Sequence, residues 1–177
     1  MSSSCWRRGA AEIFRFRKAS DGVRQRTWIL TVPLILAGGL ASGWLSGSGY
    51  GNPWFDALAK PLFMPPGWVF PVAWTTLYIL MGISLAWLIG APSPHRRTAI
   101  TLFFVQLGLN YLWSPVFFGA HRIVAGLTVI LLLDAVLLMT IAAAWKVRRI
   151  AAAALLPYAA WLLLATALNL EIWRLNG

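Results

Sequence analysis

The chain has 177 residues and a mass of 19.5 kDa, with 59% hydrophobic residues, a mean hydropathy of +0.70 and only 11% charged residues. Soluble domains carry about 25% charged residues, so the composition excludes a water-soluble globule, and the length suits one domain. Fifteen Lys and Arg against five Asp and Glu give a net charge of +10, with seven of the basic and two of the acidic residues in residues 1–27. The remaining positive charge decorates the edges of apolar segments, where it faces anionic lipid and sets orientation rather than binding nucleic acid. A single Cys5 excludes an intrachain disulfide framework, and no Cys/His spacing suggests a zinc or iron–sulfur site.

In chain order, residues 1–27 are Ser- and Arg-rich without apolar periodicity, which predicts a basic, disordered arm. Arg-rich, acid-poor tails also precede transit peptides and signal segments, and Ala41-Ser42-Gly43 resembles a small-residue cleavage site. Four further spans follow with no soluble domain to export, so an uncleaved first helix is the reading adopted. Residues 28–177 then hold five apolar runs: Trp28–Leu45, Phe70–Ile89, Ala99–Phe118, Ile123–Trp145 and Ile150–Trp173. At about 1.5 Å per residue each matches a bilayer core of about 30 Å. Lipid offers no hydrogen bonds to a backbone and the runs do not alternate in polarity, so they are helices and not barrel strands. The predicted fold is all-α, a five-helix transmembrane bundle.

The first connector, Ser46–Val69, is long and carries Tyr50, Trp54, Phe55, Phe63 and Trp68. It reads as a packed lid or as an aromatic belt at headgroup level. The other connectors are short and Gly/Pro-rich or basic, which predicts antiparallel neighbours. Twelve basic residues fall on the side of the amino terminus, against Lys60, Arg122 and Arg174 on the other. In a bacterial inner membrane that ratio predicts a cytoplasmic amino terminus. Gly39 with Gly43, and Gly82, Ala86 and Gly90, form rows of small residues that permit close helix approach within one chain or across a dimer. Pro71, Pro115 and Pro157 are expected to interrupt their helices and free backbone carbonyls.

Gln106, Asn110, Trp113 and Phe117 share one helical face. Their amides serve either as interhelical glue, worth about 0.6–2 kcal/mol each, or as polar anchors in a ligand pocket. Trp74, Trp113 and Trp161 lie inside spans, whereas Trp28, Trp145 and Trp173 sit at span ends, where interfacial anchoring suffices. The interior indoles either pack the core or present flat faces and N–H groups to a planar ligand. Asp134 falls near mid-bilayer, where a carboxylate costs about 2.5–3.5 kcal/mol, so it is either a neutral hydrogen-bonding acid or part of a proton relay. Glu171 and Arg174 have the spacing of an interfacial i,i+3 pair. His95 and His121 fall in connectors, and no catalytic triad, phosphate loop, dinucleotide turn or metal cluster is written in the sequence, so no catalytic or metal-ligating residues are assigned.

The run Pro65-Pro66-Gly67-Trp68-Val69-Phe70-Pro71-Val72-Ala73-Trp74-Thr75-Thr76-Leu77-Tyr78 resembles the signature of the TspO/MBR family, the tryptophan-rich sensory proteins that include the mitochondrial translocator protein, also called the peripheral benzodiazepine receptor. The run Gln106 to Gly119 with Asn110-Tyr111-Leu112-Trp113-Ser114-Pro115, then Pro157-Tyr158-Ala159-Ala160-Trp161 and Ala167-Leu168-Asn169 with Trp173-Arg174, are similar to further family motifs in the same order. The resemblance covers residues 30–176.

This resemblance implies a five-helix bundle, often dimeric, whose cavity is closed by the first connector and takes porphyrins such as protoporphyrin IX, sterols, or isoquinoline and benzodiazepine drugs. By position, Trp74 and Asn110 would be polar contacts of the cavity, Trp161 the ring facing Trp74, Ala165 and Leu168 part of the apolar wall, and Trp54 and Trp68 the loop and mouth. With Trp113 and Phe117 these form the candidate ligand-binding set. No resident cofactor is expected; the porphyrin is a ligand, its propionates reaching Lys60 or Arg122, and the partners are membrane lipid and a second copy. The resemblance implies a tetrapyrrole sensor or transporter. Alternatives are a light- or oxygen-dependent porphyrin-degrading enzyme using Trp74 and Trp161, and a ligand-independent regulatory partner protein. Two departures from the family pattern are that no Tyr precedes Arg174 in Leu168 to Arg174, so cholesterol binding is not inferred, and that Phe63 stands where a Trp is usual. Asp134 matches no family hallmark.

Overall fold

A computed structural model describes residues 27–177. The basic arm expected over residues 1–27 lies outside the described residues except for Thr27, which opens the first helix. The elements are α1 (Thr27–Leu45), α2 (Pro53–Ala57), α3 (Val69–Ile89), α4 (Arg96–Ser114) running on into a π-helical turn (Pro115–Gly119), α5 (Ile123–Val147), α6 (Arg149–Ala153) and α7 (Leu156–Asn176). With α6 and α7 forming one segment, Arg149–Asn176, five helices are long and apolar enough to cross a bilayer. Each expected apolar run is found as a helix. The main extensions are charged first and last turns such as Arg96-Arg97 and Lys146, which continue the helix into the headgroup layer.

The three prolines act differently from one another. Pro71 sits in the first turn of α3, where backbone N–H groups have no intrahelical acceptor anyway, so it costs no bond and does not interrupt the span. Pro115 has no N–H for the Tyr111 carbonyl four residues back; the chain widens into the π-helical turn, and Ser42 of α1 donates its hydroxyl to that carbonyl at 2.6 Å. Pro157 stands just after the break between α6 and α7, where Leu155 N–H bonds Ala152 in place of Ala151. The freed Ala151 carbonyl accepts the Ser84 hydroxyl of α3 at 2.8 Å. At both breaks a hydroxyl on another helix replaces the lost backbone donor, as a lipid-immersed bundle requires.

The small-residue rows close the bundle from within. Gly82 lies against the backbone of Val32 on α1, and Thr31 donates to the Gly82 carbonyl at 2.8 Å. The Tyr78 ring occupies the space where a Gly39 side chain would be. Tyr111 donates its hydroxyl to the Ile35 carbonyl at 2.6 Å, tying α4 to α1. Among the helices after α1, α4 and α5 share the most extensive contact, followed by α5 and α7, while α3 and α7 meet along little of their length. One buried cluster, including Tyr78, Met81, Phe103, Leu133, Tyr158 and Leu162, runs through the bundle.

Candidate functional site

Except for Trp68 and Leu168, the expected site residues fall in or around two aromatic clusters joined by Trp113, which packs against both. The first lies within the bundle. Phe70, Trp74 and Tyr78 recur every fourth residue on α3, and Tyr158 and Trp161 are three apart on α7, so each set shares a face. Trp74 stacks on Tyr78 at 5.4 Å between centroids and meets Tyr158 and Trp161 edge-on at 6.3 and 6.5 Å. Phe70 adds an edge contact to Trp161 at 5.8 Å.

Asn110, buried on α4, is the polar centre of this cluster. Its Oδ1 accepts the Tyr78 hydroxyl at 2.9 Å and its Nδ2 donates to the Tyr158 hydroxyl at 2.8 Å. Asn110 therefore bridges three helices, the glue reading, while keeping one amide N–H uncommitted. An amide set between two phenols leaves one phenolic proton over: Tyr158 accepts from Asn110, and its own O–H finds no acceptor among the described residues. Turning the amide over transfers that surplus to Tyr78. A second surplus donor is the Trp161 indole N–H, which is buried without a partner among the described residues. Both surplus donors belong to rings in contact with Trp74. Beside Trp161 a groove of about 500 Å³, lined by Ala73, Thr76, Leu77, Pro157, Ala160 and Leu164, opens laterally between α3 and α7. Ala165 packs against the core nearby and Leu168 is buried.

The second cluster closes one end of the bundle. Asn52 caps α2, accepting from the backbone N–H of Trp54 and Phe55 at 3.0 and 3.3 Å, and Pro53 supplies the pre-set first turn. The cap turns Trp54 and Phe55 inward. Phe55 packs edge-on against Phe118 at 5.1 Å and Phe117 at 6.3 Å, and Trp54 against Phe117 at 5.5 Å. Trp113 stacks on Phe117 at 5.2 Å. His121, in the left-handed region at φ 57°, stacks on Trp54 at 4.6 Å. The connector is latched at its far side: Ala59 N–H donates to Asn176 Oδ1 at 2.9 Å, and Asn176 Nδ2 donates to the Ala59 carbonyl at 3.0 Å.

Within the connector Trp54 and Phe55 pack inward on the Phe117 cluster, while Phe63 and Trp68 are exposed. Trp68, which precedes α3, is 69% exposed and stands apart from both ring clusters. Lys60 folds back over the Phe55 ring at 4.8 Å and donates to the carbonyls of Phe55, Asp56 and Leu58, so its three ammonium protons are engaged. Arg122 lines an exposed groove of about 550 Å³ with His121 and Trp173. Gln106 and Asn169 are buried amides without hydrogen-bond partners among the described residues. No cluster of His, Cys, Asp or Glu among the described residues has the spacing of a metal site.

Sequence reasoning left Tyr78, Tyr158 and His121 out of the candidate set, and had Phe55 only among the connector aromatics. The first two were legible as face-sharing neighbours, Tyr78 one turn after Trp74 and Tyr158 three residues before Trp161. His121 had no signal, because a left-handed connector residue reaches Trp54 only through the tertiary fold.

Five apolar helices around buried aromatic and amide side chains define a multi-pass membrane protein of the small helical-bundle type. The sequence profile of the TspO/MBR family matches residues 31–174, and the chain belongs to that family. It is 43% identical to the protein CrtK of Rhodobacter capsulatus over 125 residues, covering 70% of this chain and 78% of that one. It is 41% identical over 151 residues to the tryptophan-rich protein TspO of Archaeoglobus fulgidus, covering 84% and 96%. Over 131 residues it is 38% identical to the translocator protein of Homo sapiens, covering 72% and 78%. The chain is accordingly an integral, multi-pass membrane protein.

Proposed function

We propose that the chain binds a flat, apolar, acceptor-bearing molecule of the tetrapyrrole class, with protoporphyrin IX as the probe, between the Trp74 cluster and the lid, and so senses or moves it in the membrane. The observation that carries this reading is the surplus of hydrogen-bond donors around Trp74, namely the buried Trp161 N–H and one phenolic O–H of the Tyr78–Asn110–Tyr158 bridge. A buried donor without an acceptor costs about 1–3 kcal/mol, and a carbonyl or carboxylate oxygen at the edge of a guest removes that cost. The indole faces of Trp74 and Trp161 supply stacking, Trp113, Phe117, Ala165 and Leu168 the apolar wall, and Trp54 the closing ring. Trp68 stands at the rim, and Asn110 reaches the guest with its uncommitted N–H. The propionates of a porphyrin reach Arg122, a lid-side cation that lines an exposed groove beside His121. The name of the human relative, translocator protein, supports movement of a ligand as part of the role. In a bacterial inner membrane the amino-terminal side faces the cytoplasm, and the protein works in lipid as a pair of copies.

Titration of purified protein with protoporphyrin IX, followed by tryptophan quenching, tests the reading. Saturable quenching that weakens about tenfold or more in Trp74→Ala and Trp161→Phe is the expected result. Absence of saturation, or equal affinity in both variants, overturns it. Protease accessibility of an amino-terminal tag in oriented vesicles tests the sidedness.

A further inference from the structure

Asn169 is a buried polar side chain that the reading above leaves unused. It is 2% exposed, and neither its Oδ1 nor its Nδ2 has a hydrogen-bond partner among the described residues. Buried amides are nearly always bonded, so one stranded at both ends points to a missing partner. On α7 the interior face runs Tyr158, Leu162, Ala165, Asn169 and Ile172, at intervals of four and three, so the amide continues the face that carries the Trp74 cluster toward the lid. Gly126 of α5 lies opposite. A side chain there would meet Asn169 Nδ2 at 3.4 Å and the Phe117 ring at 2.8 Å, so amide and ring lie side by side against bare backbone. Phe117 is stacked on Trp113 at 5.2 Å, and the Trp113 indole N–H is likewise sealed without a partner among the described residues. Both ends of an amide and an indole N–H therefore stand unmet around one phenyl ring.

We infer that Asn169, with the Trp113 indole N–H, is a second polar subsite of the guest cavity, selective for a neutral group that carries a hydrogen-bond donor beside an acceptor, and that the Phe117 ring is its cover. This rests on the guest-binding reading above and adds a chemical requirement to it. Around Trp74 only donors are in surplus, so an acceptor satisfies them. Asn169 is stranded as donor and acceptor at once. An ester carbonyl or an ionised carboxylate meets Nδ2 and leaves Oδ1 stranded, whereas a primary amide, a lactam or a neutral carboxylic acid closes two parallel bonds with the Asn169 amide. The second lone pair of that group's carbonyl then accepts from Trp113. Phe117 is held to Trp54, Trp113 and Phe118 by ring contacts, so it turns aside without breaking a hydrogen bond. Trp161 and Asn169 are eight residues apart on α7, about 12 Å along the helix at about 1.5 Å per residue. A guest with polar groups at opposite edges engages both, its acceptor at Trp161 and its donor–acceptor edge at Asn169, which fixes its orientation.

The test compares two neutral derivatives of protoporphyrin IX, the bis-amide and the dimethyl ester, which differ in having a donor beside the carbonyl and carry no charge for Arg122. Each is titrated into the full chain in detergent and followed by tryptophan quenching. The wild type should bind the bis-amide about tenfold more tightly than the ester, and Asn169→Leu, which keeps the size of the side chain, should lose that preference while binding the ester no worse. Trp113→Phe, which keeps a ring on Phe117 and removes the N–H, should weaken both derivatives by the same factor; no weakening overturns the part given to the indole. Without any guest, Asn169→Leu should unfold at the temperature of the wild type or above it, because no bond is lost. A lower midpoint shows an amide already satisfied inside the protein and overturns the subsite. Equal affinity of the wild type for the two derivatives, or a preference that survives in Asn169→Leu, overturns the subsite and leaves the guest-binding reading intact. Absence of saturable quenching by protoporphyrin IX and by both derivatives overturns that reading and the subsite with it.

Discussion

The ring cluster around Trp74 and the ring cluster around Phe117 use the same residue types but are held together differently. The first is pinned at its centre by directed bonds: Asn110 joins the Tyr78 and Tyr158 hydroxyls across three helices, and those two rings hold the place on which Trp74 packs. The second is held by stacking and burial, with Phe117 1% exposed at its centre, and its rings share no side-chain hydrogen bond with one another. Its directed bonds lie at the rim, in the Asn52 cap and the Asn176–Ala59 latch. On the proposed reading a guest would be admitted by moving the cluster held by non-directional contacts, the Phe117 cluster with its connector, while the Trp74 cluster stays fixed.

This contrast can be broken in order of expected effect. Phe117→Ala removes the centre of the lid-side cluster and should cost about 3–5 kcal/mol in thermal or denaturant unfolding in detergent. A small loss would mean the cluster is already loose. Asn110→Leu strands both phenols and should cost about 1–3 kcal/mol per hydroxyl, with both tyrosines losing their hydrogen-bond signature in ultraviolet resonance Raman spectra. Unaltered stability would mean the bridge contributes little to the Trp74 cluster. Asn176→Ala releases the latch at a cost of about 0.5–1.5 kcal/mol and should speed hydrogen exchange at Trp54–Ala57 while leaving Trp74–Tyr78 unchanged. Faster exchange in both segments would show that the two clusters move together. Glu171→Gln should matter least: the pair with Arg174 at 3.0 Å is exposed, so about 0.2–0.5 kcal/mol is expected at low salt and none at high salt.

The amides show how far reading along one helix reaches. Gln106, Asn110, Trp113 and Phe117 were placed on one face by spacing alone, and they do share a face, since three of the four are buried and Trp113 is half-buried. Spacing did not say that Asn110 would be bridged by two tyrosines while Gln106, one turn away, would have no partner among the described residues. The difference lies in what the opposing helices present at each depth, and that depends on register between helices. Asp134 is a similar case. Its depth was legible from its position in an apolar run, but its bond to Thr166 depends on how α5 and α7 are set against each other.

The sequence by itself determined that this is a five-helix membrane protein, because hydrocarbon leaves a long apolar backbone no alternative to helix, and its motifs placed it in its family. It also determined the helical faces, which follow from the periodicity of a single element. The tertiary structure alone decided which carbonyls freed by Pro115 and by the α6–α7 break are met by Ser42 and Ser84, which rings pack around Trp74 and which around Phe117, and where surplus donors remain. Those are relations between helices that are distant in the chain, set by packing at a few close approaches such as Gly39 and Gly82, and a one-dimensional pattern carries no record of them.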